Sequence, residues 1–216
     1  PTRRRRQRQM CIRDRISSGH VKVVTKAYEK ESSQLPNDLA LFETNKIIQN
    51  LSDLYPNYFW TPRITFGGLL DTPNEDGDTK EQGPVFGIGI DFHSKTSRQI
   101  EIWELEKYLL HGNLPKNTND ALISTKLAKQ LSVNVGNTVT LISTTMDNAF
   151  TTYNFEITGI FNLNKGQVDR QMMLVDISGA RQALGMEGAA SEILGYHQSL
   201  YYLSLIHISE PTRRDQ

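Results

Sequence analysis

The two ends of the chain are related through their coding DNA, and this relation limits how much of the sequence can fold as protein. Residues 10–15 can be encoded by ATGTGTATAAGAGACAG, with the last base of the final codon left open. The reverse complement of this element encodes residues 203–207 and begins an isoleucine codon, as Ile208 requires. Selection on a protein gives no reason for such a relation, so both ends are expected to derive from one DNA element.

The element resembles the mosaic end of a transposase-based sequencing adapter. Adapter arms beyond it would encode residues 5–9 on one side and residues 209–213 on the other. We therefore predict that residues 1–15 and 203–216 are translated adapter, and we exclude them from the fold. The arginines near the N-terminus would otherwise suggest a basic arm for nucleic acid, and the inverted-complement relation favours the adapter interpretation.

Excluding the ends changes the charge of the chain. The ends hold nine of its 24 basic residues and three of its 24 acidic residues, which leaves 15 basic and 21 acidic residues and a net charge of −6. Nucleic-acid binding needs clustered lysine and arginine, so we expect no nucleic-acid partner. The only cysteine, Cys11, lies in the excluded part, so residues 16–202 offer neither a disulfide nor a thiolate. They also contain no run of about 18 apolar residues that would span a membrane.

Strand and helix patterns alternate along residues 16–202. An arc of apolar residues before Pro56 predicts an amphipathic helix capped by Asn37 or Asp38. Residues 100–110 and 178–186 also have helical patterns, whereas the acidic residues 73–83 predict a loop. Short apolar or alternating runs predict strands at residues 19–24, 60–70, 84–92, 121–124, 138–143, 153–161, 171–177 and 191–196.

Two of these strands carry sharper predictions about burial. In the strand of residues 153–161, the spacing of the large side chains predicts one shared face for Tyr153, Phe155, Ile157 and Phe161. Residues 171–177 are more continuously apolar, which predicts burial on both faces of a sheet.

The order of the elements predicts the fold class. Separated β/α pieces around a β-rich middle indicate an α+β fold. Residues 16–66 and 166–202 would form a discontinuous, porter-like β/α lobe, and residues 67–165 an inserted β-rich lobe. If the last strand begins a further β-α-β unit, the C-terminal part of the first lobe is truncated.

No motif in the sequence assembles a reaction centre. Gly87 and Gly89 lack the third glycine of a dinucleotide fingerprint, because Phe92 takes its place, so close packing or a bulge is the preferred interpretation. The scattered histidines, which have no metal-ligand spacing, are His20, His93, His111 and His197. An acidic cluster of Asp71, Glu75, Asp76 and Asp78 lacks the terminal glutamate of a calcium loop. We therefore predict no catalytic, cofactor-binding or metal-ligating residue and no cofactor.

Six segments follow one another along the chain in a recognisable order: GHVKVV, TPRITFGGLL, VFGIGIDF, ALISTKLAKQLSVNVGNTVTLIS, FEITGIF and VDRQMMLVDISGARQAL. In the middle of this pattern, a short apolar strand and a helix carrying Leu-Ala precede Gly136-Asn137-Thr138-Val139-Thr140-Leu141. Together the segments resemble the extracytoplasmic core domain of ABC transporter permeases of the macrolide-export and lipoprotein-release superfamily. Asn137 stands where that family usually has aspartate, and both residues suit a tight turn.

The resemblance implies a domain between the first and second of four transmembrane helices of a plasma (inner) membrane protein, on the periplasmic side. It implies that a separate cytoplasmic ATPase subunit or domain hydrolyses ATP, so that this domain is not an enzyme but transmits motion for export or lipoprotein release. The implied partners are that ATPase, a second permease subunit in a homo- or heterodimer, the membrane through helices outside this sequence, and a periplasmic carrier or adaptor protein.

Two other hypotheses stay open at this point. The first is a soluble small-molecule-binding domain, or an enzyme of unknown reaction, that uses the strand of residues 84–92 and the loop after it as a pocket wall. The second is a fragment too truncated to fold stably, because a missing helix and strand would leave an apolar edge uncovered.

Overall fold

In the computed structural model of this chain, residues 16, 19–73, 79–94, 98–163 and 170–198 are described. The strands are β1 (Val21–Val23), β2 (Tyr58–Pro73), β3 (Thr79–Ile90), β4 (Leu109–Gly112), β5 (Asp120–Ser124), β6 (Thr138–Thr144), β7 (Phe150–Phe161), β8 (Met172–Asp176) and β9 (Glu192–His197). The α-helices are α1 (Lys26–Glu31), α2 (Thr44–Leu54), α3 (Gln99–Trp103), α4 (Leu105–Tyr108), α5 (Thr125–Gln130) and α6 (Ile177–Leu184). Two 3-10 helices, Ser32–Gln34 and Asn37–Leu39, lie between α1 and α2.

Six strands pair in a closed ring. β2 is antiparallel to β3, β3 is parallel to β8, β8 is antiparallel to β5, and β5 is parallel to β7. The β6–β7 hairpin closes the ring, because residues 69–71 of β2 pair with residues 140–142 of β6. Closure satisfies the backbone of these strands along both of their edges over the paired residues.

Three further strands extend the ring. The first part of β2, residues 58–63, pairs with β9, and β9 pairs with β1 so that Val21 faces Gly195. β4 adds to the C-terminal part of β7. Because β1 and β9 are antiparallel neighbours, the chain enters and leaves this part of the fold side by side.

The alternation of side chains along the strands divides the apolar residues between two cores. One core takes residues from all six ring strands, which places it inside the ring. Its strand residues include Ile64, Phe66, Leu70, Val85, Ile123, Val139, Leu141, Phe155, Ile157, Met173 and Val175. The other core lies on the outer face of β3 and β8, where Trp103 and Leu105 of α3 and α4 belong to one cluster with Ile88 and Leu174.

Gly87 and Gly89, two of the three glycines of β3, face the crowded interior of the ring. A Cβ atom at Gly87 would lie 2.0 Å from Cζ of Phe66, and one at Gly89 would lie 2.7 Å from Cβ of Ala180 in α6. These approaches confirm the prediction of close packing at the glycine pair. They also explain why the pattern does not lead to a phosphate-binding turn, since both residues lie within a strand.

β8 is buried along all five of its residues. Met173 and Val175 contribute to the interior core, whereas Met172 and Leu174 contribute to the outer one. The prediction of burial on both faces is therefore confirmed.

The prediction of one shared face in residues 153–161 is wrong for Phe161. The pairing of β7 with β5 shifts by one residue between Ala121 and Leu122, so Ile157 and Gly159 oppose consecutive residues. This β-bulge reverses the alternation that follows it. Ile160 consequently belongs to the interior core with Ile157, and Phe161 belongs to the outer core.

The amphipathic helix begins later than the sequence predicts. Asn37 and Asp38 lie in a 3-10 helix, and α2 starts only at Thr44. Leu41 forms an isolated bridge with Ala190, donating its N–H to that carbonyl at 2.8 Å and accepting one in return at 2.9 Å. This pairing holds Ala40 and Leu41 extended, so a continuous helix from residue 37 cannot form.

Two other expectations need correction. Residues 100–110 form two short helices and the start of β4 instead of one helix, because Glu104 between them adopts a left-handed conformation with φ of 53°. Residues 79–83 belong to β3 and pair with the end of β2, so this part of the predicted acidic loop is a strand. Residues 74–78 of that loop lie outside the described residues.

The fold is α+β, as predicted, with a large mixed sheet and helices on its faces. β8, which the predicted boundaries place in the discontinuous lobe, pairs with β3 and β5, which they place in the inserted lobe. The two predicted lobes therefore share one sheet. Their division at residues 66/67 and 165/166 stays a prediction.

Candidate functional site

A cavity of about 420 Å³ lies on the outer side of the ring, where α1, β1 and β9 meet the strands β2, β3 and β8. Its apolar wall comprises Ile16, Leu35, Phe86, Ile88, Leu163 and Met172. Its charged wall is made by Lys22, Arg63 and Glu192. The volume falls within the range of about 300–1,000 Å³ that is typical of small-molecule sites. We call it the outer cavity.

A buried charge cluster forms one end of the outer cavity. The guanidinium of Arg63, 3% exposed, donates from Nε to Oε2 of Glu192 at 2.8 Å, and its Nη2 contacts the same oxygen. The ammonium of Lys22 donates to the other carboxylate oxygen at 2.9 Å, and the Lys22 side chain is 35% exposed. One carboxylate thus faces two cations, and the cluster carries a net charge of +1.

Strand pairing explains why these three side chains meet. Arg63 and Glu192 are register partners in β2 and β9, and Lys22 of β1 pairs with Leu194 of β9. Side chains of neighbouring strands that point to the same face come within contact distance. Ion pairing offsets part of the cost of removing Arg63 and Glu192 from water.

Tyr28 and Thr65 also line the cavity, and they begin a chain of hydrogen bonds that leads away from it. The Tyr28 hydroxyl shares a hydrogen bond of 2.8 Å with Oγ1 of Thr65. The backbone N–H of Thr65 donates to Oγ of Ser191 at 3.1 Å, and that hydroxyl donates to Oδ1 of Asn37 at 2.8 Å. Burial raises the pKa of Tyr28 above its usual value, so this hydroxyl stays protonated as a hydrogen-bonding group.

The N-terminal cap of α1 fixes the position of Tyr28, which lines the cavity. Thr25 caps α1 by accepting a hydrogen bond from the backbone N–H of Tyr28 at 3.0 Å, and its own hydroxyl donates to the carbonyl of Leu39. The cap fixes the start of a helix of only six residues. Tyr28 is therefore held at 1% exposure between α1 and β2.

A second buried polar pair lies in the outer core. Nε1 of Trp103 donates to the Tyr196 hydroxyl at 2.9 Å, and both side chains are fully buried. Burial raises the pKa of Tyr196 to about 12, although the hydrogen bond from Trp103 acts in the opposite direction. This hydrogen bond joins α3 to β9.

Asp176, His93 and Ser178 are the residue types of a hydrolytic triad, but their arrangement is that of a helix cap. Asp176 accepts from the backbone N–H of Ser178 at 2.9 Å and of Phe92 at 3.1 Å, and it also contacts the Ser178 hydroxyl. Nε2 of His93 lies 3.6 Å from the same carboxylate. In a triad the histidine stands between the serine and the acid, whereas here the acid stands between the other two, so the serine is not activated.

Of the histidines that the sequence analysis considered, the structure brings His20 and His197 together. The backbone N–H of His197, in β9, donates to Nδ1 of His20, just before β1, at 3.1 Å. Across the described residues, no group of three or more histidine, cysteine, aspartate or glutamate side chains could hold a metal ion. Asp71 lies in β2, and the other three acidic residues considered for a calcium loop lie outside the described residues.

Sequence reasoning named one strand of the outer cavity, through the hypothesis of a pocket wall at residues 84–92, but it missed the charge cluster. Arg63 and Glu192 are 129 positions apart, and no short motif joins them. A signal was present in each strand, because a charged residue interrupts an apolar run at Arg63 and again at Glu192. Charged residues are rarely buried unless they are paired, so two such interruptions in predicted strands could have suggested a buried pair.

The chain matches no protein-family model and no curated protein. Among solved structures it is similar to the periplasmic region of MacB from Actinobacillus actinomycetemcomitans, with 15% sequence identity and a TM-score of 0.45. The match covers 71% of this chain and 64% of that structure, so this chain spans less than two thirds of its length.

Proposed function

We propose that this chain is an extracytoplasmic domain of an ABC transporter permease and that it transmits ATP-driven motion for export of a substrate or release of lipoproteins. The observation that carries the proposal is the ordered set of sequence motifs between residues 19 and 196. ATP hydrolysis would belong to a separate cytoplasmic subunit or domain, and the chain itself would not be an enzyme. It would lie on the periplasmic side of the plasma membrane.

The geometry of the motif-bearing segments supports this proposal. In the middle motif, β5 runs into α5 with Ser124 as cap, and the helix buries Leu127 and Ala128. Gly136, with φ of 91°, then turns the chain into β6. The turn and the buried Leu-Ala pair each have a structural role at the position that the family pattern gives them.

The route of the chain also supports the proposal. Val21 of β1 lies opposite Gly195 of β9, so the two connections of this fold leave it next to each other. A domain inserted between two neighbouring transmembrane helices needs this arrangement. In the described stretches of the chain, no helix has the length and hydropathy of a membrane span.

A mechanical role needs a body that does not deform. The closed ring of strands, filled by one core and covered by a second, provides such a body.

The proposed partners are a cytoplasmic ATPase, a second permease subunit and a periplasmic carrier or adaptor protein, with the membrane contacted through flanking helices.

The uninterrupted reading frame tests the proposal. Genomic DNA should encode membrane-length apolar runs shortly before residue 19 and some tens of residues after residue 202, next to a gene or domain for an ABC ATPase. Polar sequence on both sides would overturn the proposal.

A soluble small-molecule-binding domain is the second candidate. The specific observation that favours it is that Phe86 and Ile88, in the strand predicted to form a pocket wall, line the outer cavity. A polar reading frame on both sides, together with a small molecule that copurifies with the chain, would favour this candidate over the first.

A further inference from the structure

The outer cavity combines apolar and charged lining residues. Its apolar lining includes the partly exposed side chains of Leu35 and Phe86, beside the buried core residues Ile88, Leu163 and Met172. The charge cluster of Lys22, Arg63 and Glu192 lines the same cavity. A ligand that fits both surfaces needs an apolar body and a polar head.

The sign of the charge cluster selects the head group. Glu192 is the only acidic residue that lines the outer cavity in the described structure, and both of its carboxylate oxygens already face cations. Among the described lining residues, two cations and one carboxylate leave an excess of one positive charge. A buried or half-buried charge excess is costly, so an added anion would be stabilised and an added cation repelled.

Lys22 is the cation placed to meet such a head group. Its side chain remains 35% exposed at the edge of the cluster, and its ammonium has three N–H donors, of which Glu192 takes one. Arg63 is only 3% exposed, so it is less accessible to a ligand than Lys22. The hydroxyls of Ser32 and Ser33 also line the cavity and add neutral donors.

A nearby cleft provides a contrast. It has a volume of about 450 Å³ and lies between the two 3-10 helices and the β6–β7 hairpin. Its charged lining residues are Glu31 and Asp38, and the rest of its lining is mostly polar. An apolar anion has no complementary surface there, which makes the outer cavity the site that fits this ligand class.

We propose that the outer cavity binds a small amphiphile with a single negative charge, such as a fatty-acid carboxylate, with its head at Lys22 and its chain against Leu35 and Phe86. This site is independent of the proposed transport function, because it follows from the lining of one cavity. Its failure would leave the transport proposal untouched.

Calorimetric titration of the full chain with decanoate, below its micelle concentration, tests the site. Decanoate should bind at one site per chain, and decyltrimethylammonium, which has a chain of the same length and the opposite charge, should not. Lys22→Gln should weaken decanoate binding roughly tenfold or more, because it removes a hydrogen bond from a charged donor. Lys22→Arg, which keeps the charge, should retain most of the affinity.

Lys46→Gln is the matched control, since it makes the same change of net charge at an exposed position of α2 that does not line the cavity. It should bind decanoate as the unchanged chain does. Far-ultraviolet circular dichroism of all three variants would show that each is folded. No binding of decanoate, equal binding of the cationic amphiphile, or equal loss in Lys46→Gln and Lys22→Gln would each overturn the proposal.

Discussion

At the scale of single residues, the Glu192 carboxylate is the centre of the charge cluster. It accepts from Arg63 and Lys22 and is 4% exposed. Its removal would leave the buried guanidinium without its counter-ion, and breaking a buried pair on one side is far more destabilising than losing an exposed pair.

We therefore expect Glu192→Gln to lower the free energy of unfolding by about 3 kcal/mol in urea denaturation. Glu43→Gln removes an exposed partner of Lys46 whose side chain is 74% exposed, and it should cost less than about 0.5 kcal/mol. The double variant Arg63→Met/Glu192→Leu removes both charges, so it should cost less than Glu192→Gln alone. Equal losses in the two glutamate variants would contradict this account.

Tyr196 gives a prediction for alkaline pH. Its pKa in the fold is about 12 because of burial, against about 10 in the unfolded chain. A folded pKa above the unfolded one means that the stabilisation is complete below about pH 10 and is lost as pH rises through about 12. The loss over this window should be about 3 kcal/mol from Tyr196 alone.

Unfolding free energies of the unchanged chain and of Tyr196→Phe, measured from about pH 9 to pH 12, test this expectation. At neutral pH the variant should be less stable by about 1–3 kcal/mol, because Nε1 of Trp103 loses its acceptor. At high pH its stability should fall less steeply than that of the unchanged chain. Tyr55→Phe, at a 52% exposed site, is the control, and an identical slope in Tyr196→Phe would refute the assignment.

At the scale of elements, the pairing of β2 with β3 depends on a glycine that makes room for an aromatic ring. Phe66 and Gly87 are register partners, and the ring of Phe66 occupies the space of a side chain at residue 87. Phe66 itself is 1% exposed in the interior core. The strand is thus matched to one partner in one register.

Gly87→Ala should destabilise the fold by about 1–3 kcal/mol through overpacking. Gly67→Ala, in β2, is the matched control, because its nearest neighbour would be Cδ1 of Leu35 at 3.7 Å. That variant should be neutral or slightly stabilising. If Phe66→Leu combined with Gly87→Ala does not recover part of the loss in thermal or urea unfolding, the steric explanation is wrong.

At the scale of the whole molecule, the protection of the backbone should follow the layers of the fold. β8 is buried on both faces and hydrogen-bonded on both edges, to β3 and β5. β1, in contrast, has only three residues, none of which is buried, and it pairs with β9. Local opening is easiest where few buried contacts must be broken.

Hydrogen–deuterium exchange read by mass spectrometry should therefore show the slowest exchange in β8 and in the paired part of β3, and fast exchange in β1. The order follows from burial and from strand position, not from hydrophobicity alone. Exchange in β8 as fast as in β1 would show that the ring does not act as one cooperative unit.

The sequence by itself determined most of the strands, the amphipathic helix before Pro56 and the α+β class of the fold. It did not determine β4 or the first part of β3, which lie partly in a predicted helix and a predicted loop. Alternation identified β7, continuous hydrophobicity identified β8 as buried on both faces, and the glycine pair of β3 indicated close packing. These properties depend on neighbours along the chain, so a local pattern is enough to predict them.

Only the tertiary structure decided where those patterns end and which strands meet. The bridge of Leu41 to Ala190 shortened a predicted helix, and a bulge opposite β5 moved Phe161 to the other core. The outer cavity depends on Arg63 and Glu192, which are far apart in the chain and become register partners only when β2 pairs with β9. The sequence marks each of these charges locally but does not identify its partner, because the energy of the contact comes from a pairing that forms only in the folded chain.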